Sequence, residues 1–264
     1  MLQEDNLSDM PHLKLTVLSL RYSSWSMRPW LALTHAGATF SKETVELAHM
    51  QQQADFSSGT IDLTNIEPTP LADRRALGSV HGLFPVLRVD DVPIHESLAI
   101  CEYVAEAFPA AGLWPDDPLD RAQARAISCE MVGGFANMRN QLACHLFGRV
   151  PGFVPSAKTR ADIARVFELW STCLERSGGP FLFGRFSIAD AMYFPVLTRL
   201  RTYDIPLTEP LTNYARALDN LPAVQTLLDV ARHEPRTVIY DDYLRALGGD
   251  PDAALLSRPQ RRTT

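Results

Sequence analysis

The stretch LKLTVLSLRYSSWSMRPWLALTHAGATFSKETVEL, residues 13–47, changes its hydrophobic period twice. Residues 13–20 alternate at first and then turn largely apolar, as a buried strand does. From Pro29 the pattern in WLALTHAG is helical, and Gly37 supplies a natural stop. TFSKETVEL, residues 39–47, alternates again and reads as a second strand. Such a β–α–β unit predicts two parallel strands joined by a right-handed crossover. The turn from the first strand into the helix is YSSWSMR, residues 22–28, and it carries three serines. Open α/β sheets place their ligands at that turn, beyond the carboxyl ends of the strands.

Outward from this unit, residues 48–70 are mostly polar without a period and read as a long surface loop. DRRALG, residues 73–78, is one short helical stretch. FPVLRVDDVPI, residues 84–94, gives two short strands about an Asp90-Asp91 turn. SLAICEYVAEAF, residues 97–108, puts Leu98, Cys101, Val104, Ala105 and Phe108 on one face of a helix, which Pro109 closes. AGLWPDDP, residues 111–118, is a Pro/Gly-rich linker. Beyond it only helical patterns occur. Ile127, Met131, Phe135, Met138 and Leu142 make one stripe, with Gly133-Gly134 as a kink within the helix. Ile163, Val166, Phe167, Trp170, Cys173 and Leu174 make a second, and Val224, Leu227, Leu228 and Ala231 a third. The order βαβ, ββα, linker, helices predicts a small α/β domain over 13–110 and an all-α domain over 118–247. The stretches 1–12 and 248–264 read as flexible tails.

The 264-residue chain is 46% hydrophobic and 21% charged, which suits a globular protein with a buried core. Its formal net charge of −6 argues against nucleic acid or an anionic membrane as a partner. No apolar run has the length of a membrane span. The N-terminus MLQEDNLSDMPH is acidic, unlike a secretory leader. Cys101, Cys129, Cys144 and Cys173 show no CxxC spacing, so a reduced, cytoplasmic protein without a bound metal is expected, its cysteines packed in the core.

Four constellations bear on chemistry. A serine of the 22–28 turn can donate a hydrogen bond to a bound thiolate; it can equally be a simple helix N-cap. Phe84-Pro85 heads a strand. If its peptide bond is cis, the preceding backbone turns outward to pair with a peptide-like ligand; if trans, it is an edge proline. Glu96-Ser97 precedes the 97–108 helix, with Ser97 as a cap or as a donor to a ligand carboxylate, and Glu96 as a partner for an ammonium or a solvated acid. Ser187-Ile188-Ala189-Asp190 has capping-box spacing and reads as structural.

YSSWSMRPWLAL, FPVL, HESLAICEYVAEAFP, GLWP and GPFLFGRFSIADAMYFPVLTR, in this order, resemble the cytosolic glutathione S-transferase family, in its serine-type, zeta-like bacterial classes. The resemblance spans about Leu13 to Arg236. It implies a thioredoxin-like N-terminal domain that binds glutathione as co-substrate, an all-helical C-terminal domain that takes a small hydrophobic electrophile, and a homodimer. It places the thiol-activating hydroxyl on Ser23, with Ser24 second, Ser26 a helper and Arg28 structural. Pro85 matches the cis-proline, Phe84 the residue whose backbone pairs with the cysteinyl unit, and Glu96 and Ser97 the pair at the γ-glutamyl end. Leu83 stands where the family commonly has Lys or Gln, and His81 is the residue that compensates. Met131, Phe135 and Met138, with Arg139 as a polar member, are expected to line the electrophile pocket.

The implied activity is transfer of the glutathione thiol to an electrophile. The alternatives are a glutathione-dependent isomerase of maleylacetoacetate type and a non-catalytic binding protein on the same fold. A thiol of pKa about 8.5 is only a few per cent thiolate at neutral pH, and each unit of depression needs about 1.4 kcal/mol. A hydroxyl and a helix N-terminus are suited to supply one to two such units, on the order of 1.5–3 kcal/mol.

Overall fold

Four strands form a mixed sheet in the order β2-β1-β3-β4 in the computed structural model, which describes residues 11–62 and 66–253. Strand β1 (Leu13–Val17) runs parallel to β2 (Phe40–Thr44) and antiparallel to β3 (Val86–Val89), which pairs antiparallel with β4 (Val92–His95). Helix α1 (Ser24–His35) makes the crossover from β1 to β2; α2 (Leu71–Ala76) precedes β3, and α3 (Ser97–Ala107) follows β4. The Asp90-Asp91 turn closes the β3–β4 hairpin, with Asp90 in the left-handed region at φ 51°. The 48–70 loop begins as a short 3₁₀ turn, Ala48–Gln51.

The helical domain comprises α4 (Pro118–Gly133), α5 (Ala136–Gln141), α6 (Ala157–Ser177), α7 (Ile188–Thr202), α8 (Glu209–Asp219), α9 (Pro222–Arg232) and α10 (Val238–Ala246). Helix α7 is its axis: every residue from Ile188 to Leu200 is buried, so the helix is packed on all sides. The capping box holds its start. The Asp190 carboxylate accepts from the Ser187 N–H at 2.8 Å and from the Leu182 N–H at 3.0 Å. Burial lifts Asp190 to about 6 despite these bonds. One continuous apolar core runs from Leu15 and Leu31 beneath the sheet to Trp170, Phe194 and Leu228 among the helices.

Four sequence expectations change. Helix α1 begins at Ser24, so Pro29 lies inside it; with Ser23 as the cap, the serines themselves start the helix. Ser97 is the first helical residue of α3 rather than its cap; Glu96 holds the cap position at φ 69°. Gly133-Gly134 does not kink a helix but ends one. Gly134 is extended and Phe135 adopts φ 59°, which turns the chain into the separate helix α5. The described parts of the two tails are tied down. The His12 N–H donates to Asp90 Oδ1, Arg149 and Asp250 exchange two main-chain bonds of 2.8 Å each, and Asp252 accepts from Arg236. Residues 1–10 and 254–264 lie outside the described set.

Candidate active site

The sheet register brings three loops to one end of the sheet. Thr16 of β1 lies opposite Val86, and Val86 lies opposite His95. The end of β1, the start of β3 and the end of β4 therefore emerge side by side. They carry the serine turn, Phe84-Pro85 and Glu96-Ser97 respectively. Parallel β2 ends at the same edge and adds Val45, Glu46 and Leu47. A cavity of about 340 Å³ opens there, between the sheet edge and helices α5, α7 and α10.

Ser23 stands on its wall, half-buried, as the cap of α1. Its Oγ accepts from the Ser26 N–H at 3.3 Å and from the Ser26 hydroxyl at 2.9 Å. Both bonds use the lone pairs of Ser23, so its own proton remains for a ligand. The free N–H groups of the first turn add a local positive potential. Ser24 also lines the cavity; it is buried, and its Oγ accepts from Arg199 Nη2 at 3.2 Å. Ser26 is fully buried behind Ser23.

The Phe84-Pro85 bond is cis, and Phe84 lines the cavity across from the serines. Beside it, the Ser97 hydroxyl is buried with no hydrogen-bond partner, a donor left at the helix start. Glu96 is exposed next to it and draws on the Arg139 guanidinium. His81 is exposed and rests edge-to-face on His95 at 4.9 Å, away from the cavity lining; Leu83 is 61% exposed.

Of the four residues expected in an electrophile pocket, only Arg139 lines the cavity. Met131, Phe135 and Met138 are buried in the helical core, because the helix break at Gly134–Phe135 leaves α4 packed on α7 and α5 packed on α6. The helical wall is instead built from Arg139, Asn140, Ala143, Cys144, Arg199, Thr237 and Tyr240. It is more polar than a hydrophobic-electrophile pocket requires.

Arginines dominate this wall electrostatically. Arg28 is fully buried, donates Nε to the Met192 carbonyl at 3.2 Å, and keeps a buried Nη1 without a partner. Burial, together with the charges of Arg139 and Arg199, pulls it down to about 9. The Trp25 ring has the Arg28 guanidinium 4.2 Å and the Arg139 guanidinium 4.5 Å from its centroid. Among the described residues, no ion pair to a carboxylate neutralises Arg28, Arg139 or Arg199.

The turn before Ser23 is held by two buried carboxylates from the far end of the chain. Glu234 accepts from the Ser19 hydroxyl at 2.9 Å, the Leu20 N–H at 2.5 Å and Lys42 Nζ at 2.5 Å. Ser19 in turn accepts the Ser23 N–H at its carbonyl, at 3.1 Å. Asp241 accepts from the Tyr22 hydroxyl and from His145 Nε2, both at 2.9 Å, and from Arg236 Nε at 2.6 Å. His145 Nδ1 accepts the N–H groups of Phe147 and Gly148, which fixes the neutral tautomer with its proton on Nε2. Tyr22 stacks on Tyr240 at 5.4 Å, and both rings line the cavity. The 48–70 loop is fastened to the same end: the Tyr243 hydroxyl donates to the Gly59 carbonyl at 2.6 Å, and Gln51 Oε1 accepts the Val238 N–H.

Sequence reasoning did not single out Arg199, Tyr22, Glu234 or Asp241. One signal was available: Arg199 is a lone cation in the apolar run YFPVLTRL, and such a residue is buried only with a purpose.

Among the described residues no helix is long and apolar enough to cross a membrane, and no group of three or more His, Cys, Asp or Glu side chains is set to hold a metal ion. Residues 22–107 match the family model of the glutathione S-transferase N-terminal domain, and residues 155–224 match that of the C-terminal domain. A probable maleylacetoacetate isomerase of Caenorhabditis elegans is 26% identical over 166 residues, covering 62% of this chain and 76% of that protein. Two solved structures share the fold. A glutathione transferase homologue from Burkholderia, solved with bound glutathione, superposes with a TM-score of 0.60 at 19% identity, covering 84% of this chain and 99% of that one. A maleylacetoacetate isomerase from Anaeromyxobacter dehalogenans does so with 0.57 at 23% identity, covering 96% and 97%.

Proposed function

This chain belongs to the glutathione S-transferase family, both of whose domain models match it, and on that premise we propose that it binds glutathione at the sheet edge and activates its thiol for attack on a small electrophile. The observation that carries this reading is the position of Ser23. Its hydroxyl, with a proton to give, faces a cavity whose opposite wall is Phe84 beside a cis-proline. The cysteinyl unit pairs with the Phe84 backbone. The γ-glutamyl carboxylate takes the unpartnered Ser97 hydroxyl, and Glu96 takes the ammonium. Residues 13–110 form the glutathione-binding half and 118–247 the electrophile-binding half. His81 plays no part, and the electrophile meets Arg139 rather than the methionine stripe. The reading includes a homodimer in the cytoplasm, which gel filtration and fractionation test.

Isothermal titration calorimetry with glutathione is the deciding experiment. Binding in the micromolar to millimolar range is expected. No heat and no thermal shift at millimolar ligand turns the reading to a non-catalytic protein on this fold.

A second reading is glutathione-dependent isomerisation, in which the thiolate adds to a double bond and leaves again. The polar wall of Arg139, Asn140 and Arg199 favours it, because it suits a polar acceptor, and so does the similarity to proteins described as maleylacetoacetate isomerases. The two readings separate on stoichiometry: conjugation consumes one glutathione per turnover, isomerisation none.

A further inference from the structure

Arg199 reaches the serine corner from the other side of the cavity, 175 residues away in sequence from the Ser24 hydroxyl it touches. Its Nη2 donates to Ser24 Oγ at 3.2 Å, while its Nη1 donates to the carbonyls of Arg139, at 3.1 Å, and Leu142. The guanidinium is planar and permanently charged, so these three acceptors fix its plane. It is 6% exposed and lines the cavity. A hydroxyl that accepts a bond from a cation cannot spend its proton on that partner, so the Ser24 proton is left for a second acceptor.

We propose that Arg199 is a positioning residue of thiol activation, which orients the Ser24 hydroxyl as a second donor to the glutathione sulfur and sets a desolvated cation behind it. The inference rests on the glutathione reading above. Two donors and one fixed positive charge then meet the sulfur anion: the hydroxyls of Ser23 and Ser24, and the guanidinium behind the latter. Poorly hydrated charge acts strongly over such distances, because little water screens it.

Other charged or titratable groups face the same corner. Arg28 from α1 and Arg139 from α5 add to the positive potential. Glu46, after β2, opposes it across the cavity. Cys144, Tyr22 and Tyr240 also line the cavity; burial raises both tyrosines, and the charges of Arg21 on Tyr22 and of Arg199 on Tyr240 offset only part of that. The balance favours an anion at the sulfur position, and Arg199 is the cation bonded to a serine of the turn.

The test is the thiolate absorbance of glutathione bound to the full chain, titrated against pH. The wild-type protein is measured first. If it binds no glutathione, or the bound thiol titrates like the free one, the glutathione reading itself fails and this inference falls with it. On a wild type that does lower the thiol pKa, Arg199→Met is expected to raise it by about one unit, which is roughly tenfold less thiolate at neutral pH. Arg199→Lys, which keeps the charge, is expected to restore part of that shift. Arg199→Met also removes the bonds to two carbonyls and risks misfolding. Ser24→Ala cuts the link without touching them, and is expected to move the bound thiol pKa upward in the same direction. A bound thiol pKa unchanged in Ser24→Ala and in folded Arg199→Met, with glutathione still bound, overturns the proposal.

Discussion

Removing the charge of Asp241 is expected to loosen the cavity wall from behind. The carboxylate is 3% exposed and takes three donors. Burial alone raises its pKa, but bonds from His145, Arg236 and Tyr22 outweigh burial and hold it at about 2. In Asp241→Asn the amide oxygen keeps the Tyr22 hydroxyl and His145 Nε2–H, which share Oδ1, but the amide N–H₂ replaces Oδ2 and meets the Arg236 Nε–H donor against donor. The partly exposed Arg236 regains water and keeps Asp252. The amide N–H₂ is then a buried donor without an acceptor, which costs about 1–3 kcal/mol, and the lost charge weakens the two bonds that stay. The expected destabilisation is about 3 kcal/mol, or roughly 6–10 °C in Tm for a chain of this size. The pH dependence carries its own sign. The folded carboxyl titrates below the unfolded value of about 3.9, so its contribution is present above pH ~4 and lost as the pH falls toward ~2. Urea unfolding followed by circular dichroism, at pH 7 and at steps from 4.5 to 3, measures both. The gap between wild type and variant is expected to be full at pH 7 and to narrow on acidification below pH 4. A gap under about 1 kcal/mol at pH 7, or one that widens with acid, refutes the role given to Asp241.

Three further outcomes follow from the same geometry. Ser23→Ala is expected to lower conjugation of an aryl halide about 10- to 100-fold at pH 7, since a hydrogen bond to a charged acceptor is worth about 1.5–3 kcal/mol, and to lose about 1 kcal/mol of stability with the cap; unchanged turnover sinks the assignment to Ser23. Glu234→Gln leaves Lys42 without its charge partner and offers one oxygen to donors that now share two. A loss of about 2 kcal/mol in urea unfolding, with lower activity through the displaced Ser19–Ser23 turn, is the expected result. Burial lowers the His145 pKa and outweighs the pull of Asp241. The unfolded chain therefore takes up its proton first as the pH falls below ~6.5, and stability drops with it. The His145 imidazole signal in NMR is expected to report the neutral ring at pH 6, and a protonated ring there contradicts the network.

Much of the fold was legible because it is written in local period. The switch from alternation to helical spacing within residues 13–47, the Asp90-Asp91 turn and the Ser187–Asp190 capping box depend on residues within a few positions of one another. The serine turn was legible for the same reason, since the end of a parallel strand is fixed by the strand itself. Residue by residue, the turn was less clear. Pro29 hid the true start of α1, and Ser97 looked like a cap because the left-handed backbone of Glu96 has no signature in sequence.

Tertiary structure alone decided what faces the serines. A stripe such as Met131, Phe135 and Met138 says that a face is buried but not against what, and here it meets other helices. The groups that shape the cavity come from far along the chain: Arg199 to Ser24, Asp241 to Tyr22, Glu234 to Ser19. Such pairs leave no periodic trace, because their partners are chosen by how whole helices pack and not by neighbours in sequence. The amino-acid order thus determined that a hydroxyl would stand at the first strand's end. The packing of α7 and α10 decided that it would stand among arginines, on a turn clamped by buried carboxylates.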